Sequence, residues 1–63
     1  MKIEIDKEAD AAFIYFKEIS SGDVKKTISL NDSLNVDFGT DGKILGIEIL
    51  KLSKTIPKKG LEN

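Results

Sequence analysis

Asp41-Gly42 stands between two apolar runs, Leu34–Phe38 and Ile44–Leu50. A turn dipeptide flanked by alternating hydrophobics is the strongest short-range signal for an antiparallel hairpin. With Asp41 and Gly42 as the loop, Phe38 faces Leu45, Val36 faces Ile47 and Leu34 faces Ile49, so six apolar side chains share one side. A three-residue loop slips the register by one and sets Glu48 opposite Leu34, which sacrifices burial. The two-residue register is therefore the expected one. It places Asn35 opposite Glu48 and Asp37 opposite Gly46 on the other side.

The rest of the chain repeats this period of two. Met1, Ile3 and Ile5 alternate with Lys2, Glu4 and Asp6, the mark of a half-buried strand. After the polar turn Lys7–Asp10, Ala11–Phe16 reads as a second strand rich in aromatic and β-branched residues. A four-residue turn pairs Ile5 with Ala12 and Ile3 with Ile14; a short helix over Glu8–Phe13 is the competing reading. Ser20-Ser21-Gly22-Asp23 has loop composition. Val24–Leu30 forms a third strand, with Lys26 on the apolar side near a sheet margin, its stem on apolar surface and its ammonium in water. A three-residue turn, Asn31–Ser33, sets Leu30 opposite Leu34 and Ile28 opposite Val36. Beyond Leu50, Ser53 is placed to cap one helical turn ending before Pro57, and Lys58-Lys59-Gly60 reads as a frayed end.

The expected fold is thus mainly β: a five-stranded antiparallel meander with a short C-terminal helical turn. Residues 1–53 form one small domain and residues 54–63 a tail. In these registers Ile3, Ile5, Ala12, Ile14, Phe16, Val24, Ile28, Leu30, Leu34, Val36, Phe38, Leu45, Ile47 and Ile49 share one face. No long amphipathic helix is available to cover it. A chain of 63 residues without a disulfide or metal staple has a thin core, and self-association, as a homodimer or higher symmetric oligomer, is the expected remedy.

Composition narrows the function classes. The absence of Cys and His removes thiolate and imidazole chemistry and the commonest metal ligands. With no Arg and a net charge of −1 the chain lacks the basic excess of a nucleic-acid binder. The N-terminus, charged at alternate positions, is unlike a signal peptide. The longest apolar run, Ala11–Phe16, is too short to span a bilayer. A cytoplasmic protein without a membrane partner is the expectation.

Few residues invite a chemical role. Asp6, Glu8 and Asp10 alternate like the first half of a calcium loop, but the following Gly and the closing bidentate Glu are missing; a solvated turn with Asp10 bonded to nearby backbone explains them better. Asp37 and Glu48 share a face, and paired carboxylates can divide acid and base roles; without a cleft or a polar partner of catalytic type, a structural or interface role fits better, with Glu48 accepting from Asn35 or a Lys, or from an edge or partner backbone. Gly46 weakens a strand unless a ring or backbone comes close or a bulge bends it, and Phe13 or Tyr15 is placed to cover it. Lys51, Lys54, Lys58 and Lys59 form a basic tail, either solvated or directed at RNA or an acidic protein. No catalytic, cofactor-binding or metal residue is assigned.

Asp6–Ala11, then Val36-Asp37, Asp41-Gly42 and Gly46–Leu50, in that order, resemble domain of unknown function family 2283, a family of small prokaryotic proteins, over about residues 2–53. The chain departs from the family pattern at Ala12-Phe13 and at Lys51-Leu52-Ser53. The resemblance implies the same boundaries and fold but no activity. By analogy with relatives resembling small partners of ribonuclease-like toxins, it also implies an antitoxin-like alternative. The expected function is a non-catalytic protein-interaction or oligomerisation module. A carboxylate-based enzyme or metal site is the remaining alternative.

Overall fold

Five strands form one antiparallel sheet in a computed structural model that describes residues 1–57. They are β1 (Lys2–Asp6), β2 (Ala11–Tyr15), β3 (Val24–Asn31), β4 (Leu34–Gly39) and β5 (Ile44–Ile49), followed by one helical turn, α1 (Leu52–Thr55). The five-stranded antiparallel sheet and the C-terminal turn agree with the sequence reading, and β2 excludes the competing helix over Glu8–Phe13.

The spatial order is β1-β2-β5-β4-β3. The consecutive path of a meander holds within β1–β2 and within β3–β4–β5, but β2 takes β5, and not β3, as its second neighbour. Strands β2 to β5 therefore form a Greek key. The physical reason lies in strand composition. β2 (AAFIY) and β5 (ILGIEI) are the strands that tolerate a neighbour on each side, whereas β1 (KIEID) and β3 (VKKTISLN) carry the charges that suit a free edge. A consecutive meander would place lysine-bearing β3 at the centre and apolar β5 at an edge.

Both later hairpins resolve a conflict between turn and face. Beyond the β4–β5 turn, Leu34 pairs with Ile49, Val36 with Ile47 and Asp37 with Gly46, as expected. Next to the turn the register differs: Phe38 pairs with Ile44, not Leu45. The Gly39 amide donates to the Lys43 carbonyl (2.9 Å) and the Gly42 amide to the Gly39 carbonyl (3.0 Å), so the loop has three residues, Thr40–Gly42, with Gly42 at φ +83°. This is the loop favoured with glycine in its left-handed position. A bulge at Leu45 then restores the register that buries the apolar side chains.

The β3–β4 hairpin errs the other way. Its turn has two residues, Asp32 and Ser33, with Asn31 paired to Leu34 and the Asn31 carboxamide oxygen accepting the Ser33 amide (2.7 Å). Leu30 therefore does not face Leu34. It falls at a bulge, after which Ile28 faces Val36 as expected. A second irregularity at Lys25 bends the same edge strand, and such bulges discourage edge-to-edge pairing.

Space is open where a Gly42 side chain would stand, so substitution there tests backbone strain alone. Gly42→Val is expected to cost on the order of 1–3 kcal/mol, because a β-branched residue is strained at positive φ. Thr40→Ser should be nearly neutral. Urea midpoints check this; coincidence of Gly42→Val with wild type would mean that the loop needs no left-handed residue.

The C-terminal turn is held from the far end of the sequence. The Leu52 amide donates to the Asp10 carbonyl (2.7 Å), and the Asp10 carboxylate accepts from the Ser53 amide (3.1 Å) and hydroxyl (2.8 Å). Ser53 is thus not the cap; Asp10, itself at φ +53°, satisfies the free amides of α1. The local turn bond expected of Asp10 belongs instead to Asp6, whose carboxylate accepts the Ala9 amide (3.0 Å). Ile56 is extended before Pro57 and ends the turn. Lys58, Lys59, Gly60 and Leu61 lie outside the described residues.

Candidate functional site: the two faces of the sheet

The registers assemble each face into rows that cross all five strands. On one face Ile3, Ile14, Ile47, Val36 and Ile28 stand side by side. On the other, Lys2, Tyr15, Gly46, Asp37 and Thr27 form one row, and Glu4, Phe13, Glu48, Asn35 and Ser29 the next. Alternation along each strand, read in the sequence, is what separates these chemistries.

The apolar face is covered only at its centre. Ala12 and Val36 are buried, but Ile3 is 61% exposed, Ile5 58%, Phe16 46% and Ile28 39%. Among the described residues no large side chain is fully buried, and the buried core consists of Ala11, Ala12, Val36, Leu45 and Leu52. Lys26, on edge strand β3, sets its ammonium 5.8 Å from the centre of the Phe38 ring. This cation–π contact keeps the charge at the margin, as the sequence reading required.

On the opposite face, polar side chains are joined by hydrogen bonds between strands. The Thr27 hydroxyl donates to Asp37, the Ser29 hydroxyl to the Asn35 oxygen, and the Asn35 amide nitrogen to Glu48 (2.9 Å). Glu48 thus accepts from Asn35, one of the donors expected. Asp37 and Glu48 are members of cross-strand ladders, which pin the register of β3, β4 and β5. Phe13 and Tyr15 stack with centroids 6.3 Å apart and planes 8° from parallel. A side chain at Gly46 would sit 3.0 Å from the Ile14 carbonyl oxygen, 3.5 Å from Ile19 and 3.8 Å from Tyr15. Close approach of β2, with Tyr15 and the β2–β3 connection above it, accounts for this glycine. Tyr15 was in view from the sequence, but Ile19 was not, since nothing in a loop sequence shows which strand the loop crosses.

Among the described residues, Asp23 and Tyr15 have displaced pKa values. Asp23 clasps the β2–β3 connection by accepting the Ser20 amide (2.8 Å), and this bond, with Lys17 alongside (3.4 Å), lowers its pKa from the usual value. Partial desolvation, then Glu4, Glu48 and Asp37 around it, raise the Tyr15 phenol above its ordinary 10.0. Stability linked to Tyr15 is therefore fully present below pH 10 and falls as pH rises through the folded-state pKa. Tyr15 is the single tyrosine and there is no Trp, so phenolate absorbance reads this group directly. Glu4→Gln is expected to move the midpoint down toward 10; an unchanged midpoint would remove Glu4 as a cause.

The remaining sequence candidates do not converge. Asp6 and Asp10 serve different amides, and among the described residues no group of three or more Asp, Glu, His or Cys side chains is close enough to hold a metal ion. Lys51 and Lys54 are exposed on and beside α1; Lys58 and Lys59 lie outside the described residues. Among the described residues no helix is long and apolar enough to cross a membrane.

A single antiparallel sheet, apolar on one side and laddered with polar groups on the other, defines a small β-sheet protein whose distinguishing surface is a half-covered apolar face. The chain belongs to the family described as protein of unknown function DUF2283, whose profile matches residues 2–53. It is 43% identical over 54 residues to an uncharacterised protein of the archaeon Methanocaldococcus jannaschii; the match takes in 86% of this chain and 43% of that protein, so the chain spans less than half of its relative. No solved structure matches.

Proposed function

We propose that this chain is a cytoplasmic protein-interaction module that does no chemistry of its own and works through its apolar sheet face. The observation that carries this reading is the row Ile3–Ile14–Ile47–Val36–Ile28, exposed at both ends. A sheet gains most of its stability by setting one face against another layer, and among the described residues Ile3, Ile5, Phe16 and Ile28 are left exposed on this face. Completing the burial of side chains already half covered stabilises a complex by on the order of 1 kcal/mol for each. The polar face supports the same assignment, since Asp37 and Glu48 are engaged by Thr27 and Asn35.

Parallel affinity capture with the wild-type chain and with an Ile3→Asp, Ile28→Asp double variant tests this. The wild type is expected to retain at least one protein, further copies of itself included, that the variant releases. A ribonuclease-like protein among those retained would assign the antitoxin-like role. Identical retention by both chains would overturn the reading.

A further inference from the structure

We infer that the occupant of the apolar face is a second copy of this chain, the two sheets packing face to face about a two-fold axis. The inference rests on the interaction reading above and adds the identity of the partner. Three features select a second copy.

The first is area. Five strands about 4.8 Å apart and about 17 Å long give a footprint on the order of 400 Å². The exposed side chains of Ile3, Ile5, Phe16 and Ile28 standing on it make the accessible area larger than that footprint, in the direction of the roughly 800 Å² that each partner contributes to a stable, specific interface.

The second is chemistry. The charge that the strand registers place on this face is Lys26, which lies at the β3 margin against Phe38. Nothing on it selects an acidic or basic partner; what it matches is another apolar sheet. In a face-to-face pair Ile3 and Ile28, at opposite ends of the central row, are enclosed while the lysines stay at the rim. The hydrogen-bonded rows through Glu48 and Asp37 become the two outer surfaces. That is the arrangement of a β-sandwich, with polar side chains outward and apolar ones interleaved between the layers.

The third is stoichiometry. Among the described residues no large side chain is fully buried. A fold whose core is completed by its partner needs that partner whenever it is made, and a second copy is the one partner always present in equal amount. A two-fold contact also closes on itself and leaves no further apolar surface to propagate.

Sedimentation equilibrium of the full chain at micromolar concentration is expected to give a dimer, and the melting temperature is expected to rise with protein concentration. Ile3→Asp and Ile28→Asp, at positions exposed in the single chain, should each weaken dimerisation at least 100-fold, while Lys2→Gln on the polar face should change it less than twofold. If an Asp variant does not fold, protection of the wild-type Ile3 and Ile28 methyl groups from a soluble nitroxide reports the same contact. A dimer with those methyl groups open to the nitroxide, or one indifferent to both Asp variants, would overturn the inference. A folded 6.9 kDa monomer with the methyl groups open would overturn the second copy and leave the interaction reading standing. A folded monomer with the methyl groups protected would overturn both, because the chain would then cover its own face.

Discussion

Leu52→Ala is expected to lower the unfolding free energy by about 2–4 kcal/mol, the usual cost of truncating a buried leucine. For a domain of 63 residues, whose total stability is on the order of 5 kcal/mol, this is most of what holds it folded. The effect is large because Leu52 is buried at 6% exposure in a short core, and because the turn that carries it is anchored at one point, the Asp10 carbonyl and carboxylate. Ser53→Ala removes only the hydroxyl bond to Asp10 and should cost about 0.5–1.5 kcal/mol. Urea unfolding at one fixed protein concentration, with unchanged m-values, separates the two. A Leu52→Ala midpoint within experimental error of wild type would show that the C-terminal turn contributes nothing to the domain.

Gly46→Val is the second large effect. Its cost is steric, not conformational, since Gly46 is absent from the residues with positive φ. Its Cβ would stand 3.0 Å from the Ile14 carbonyl oxygen, and that atom belongs to the backbone of the neighbouring central strand, which cannot turn aside as a side-chain tip can. Overpacking of this kind costs about 1–3 kcal/mol, with Val at the upper end because its branches also meet Ile19 and Tyr15. Gly46→Ala should lie below Val and above zero. Stability equal to wild type in both variants would mean that β2 and β5 separate freely, and the central pairing of the sheet would need revision.

The chain shows how far a pattern of period two can be read. Alternation alone separates the Ile3–Ile28 row from the Thr27–Lys2 row, because one residue of slip would turn every side chain to the wrong side. The pairs far from the turns, such as Ile3 with Ile14 and Val36 with Ile47, follow from the same pattern. So do the sharing of one face by Asp37 and Glu48, the contact between Asn35 and Glu48, and the marginal position of Lys26.

The remaining features depend on contacts between segments distant in the chain, and each has a physical cause. Turn preference is local whereas burial is collective, so the two disagree by one residue at both the Thr40–Gly42 and Asp32-Ser33 loops. The disagreement is absorbed in bulges at Leu45 and Leu30, which no single stretch of sequence displays. The pairing of β2 with β5 depends on which strands lose most at an edge, a comparison among all five at once. The Asp10–Ser53 cap joins residues 43 positions apart: an aspartate in a turn announces that it can accept amides, but which amides reach it depends on where the last strand of the sheet delivers the chain.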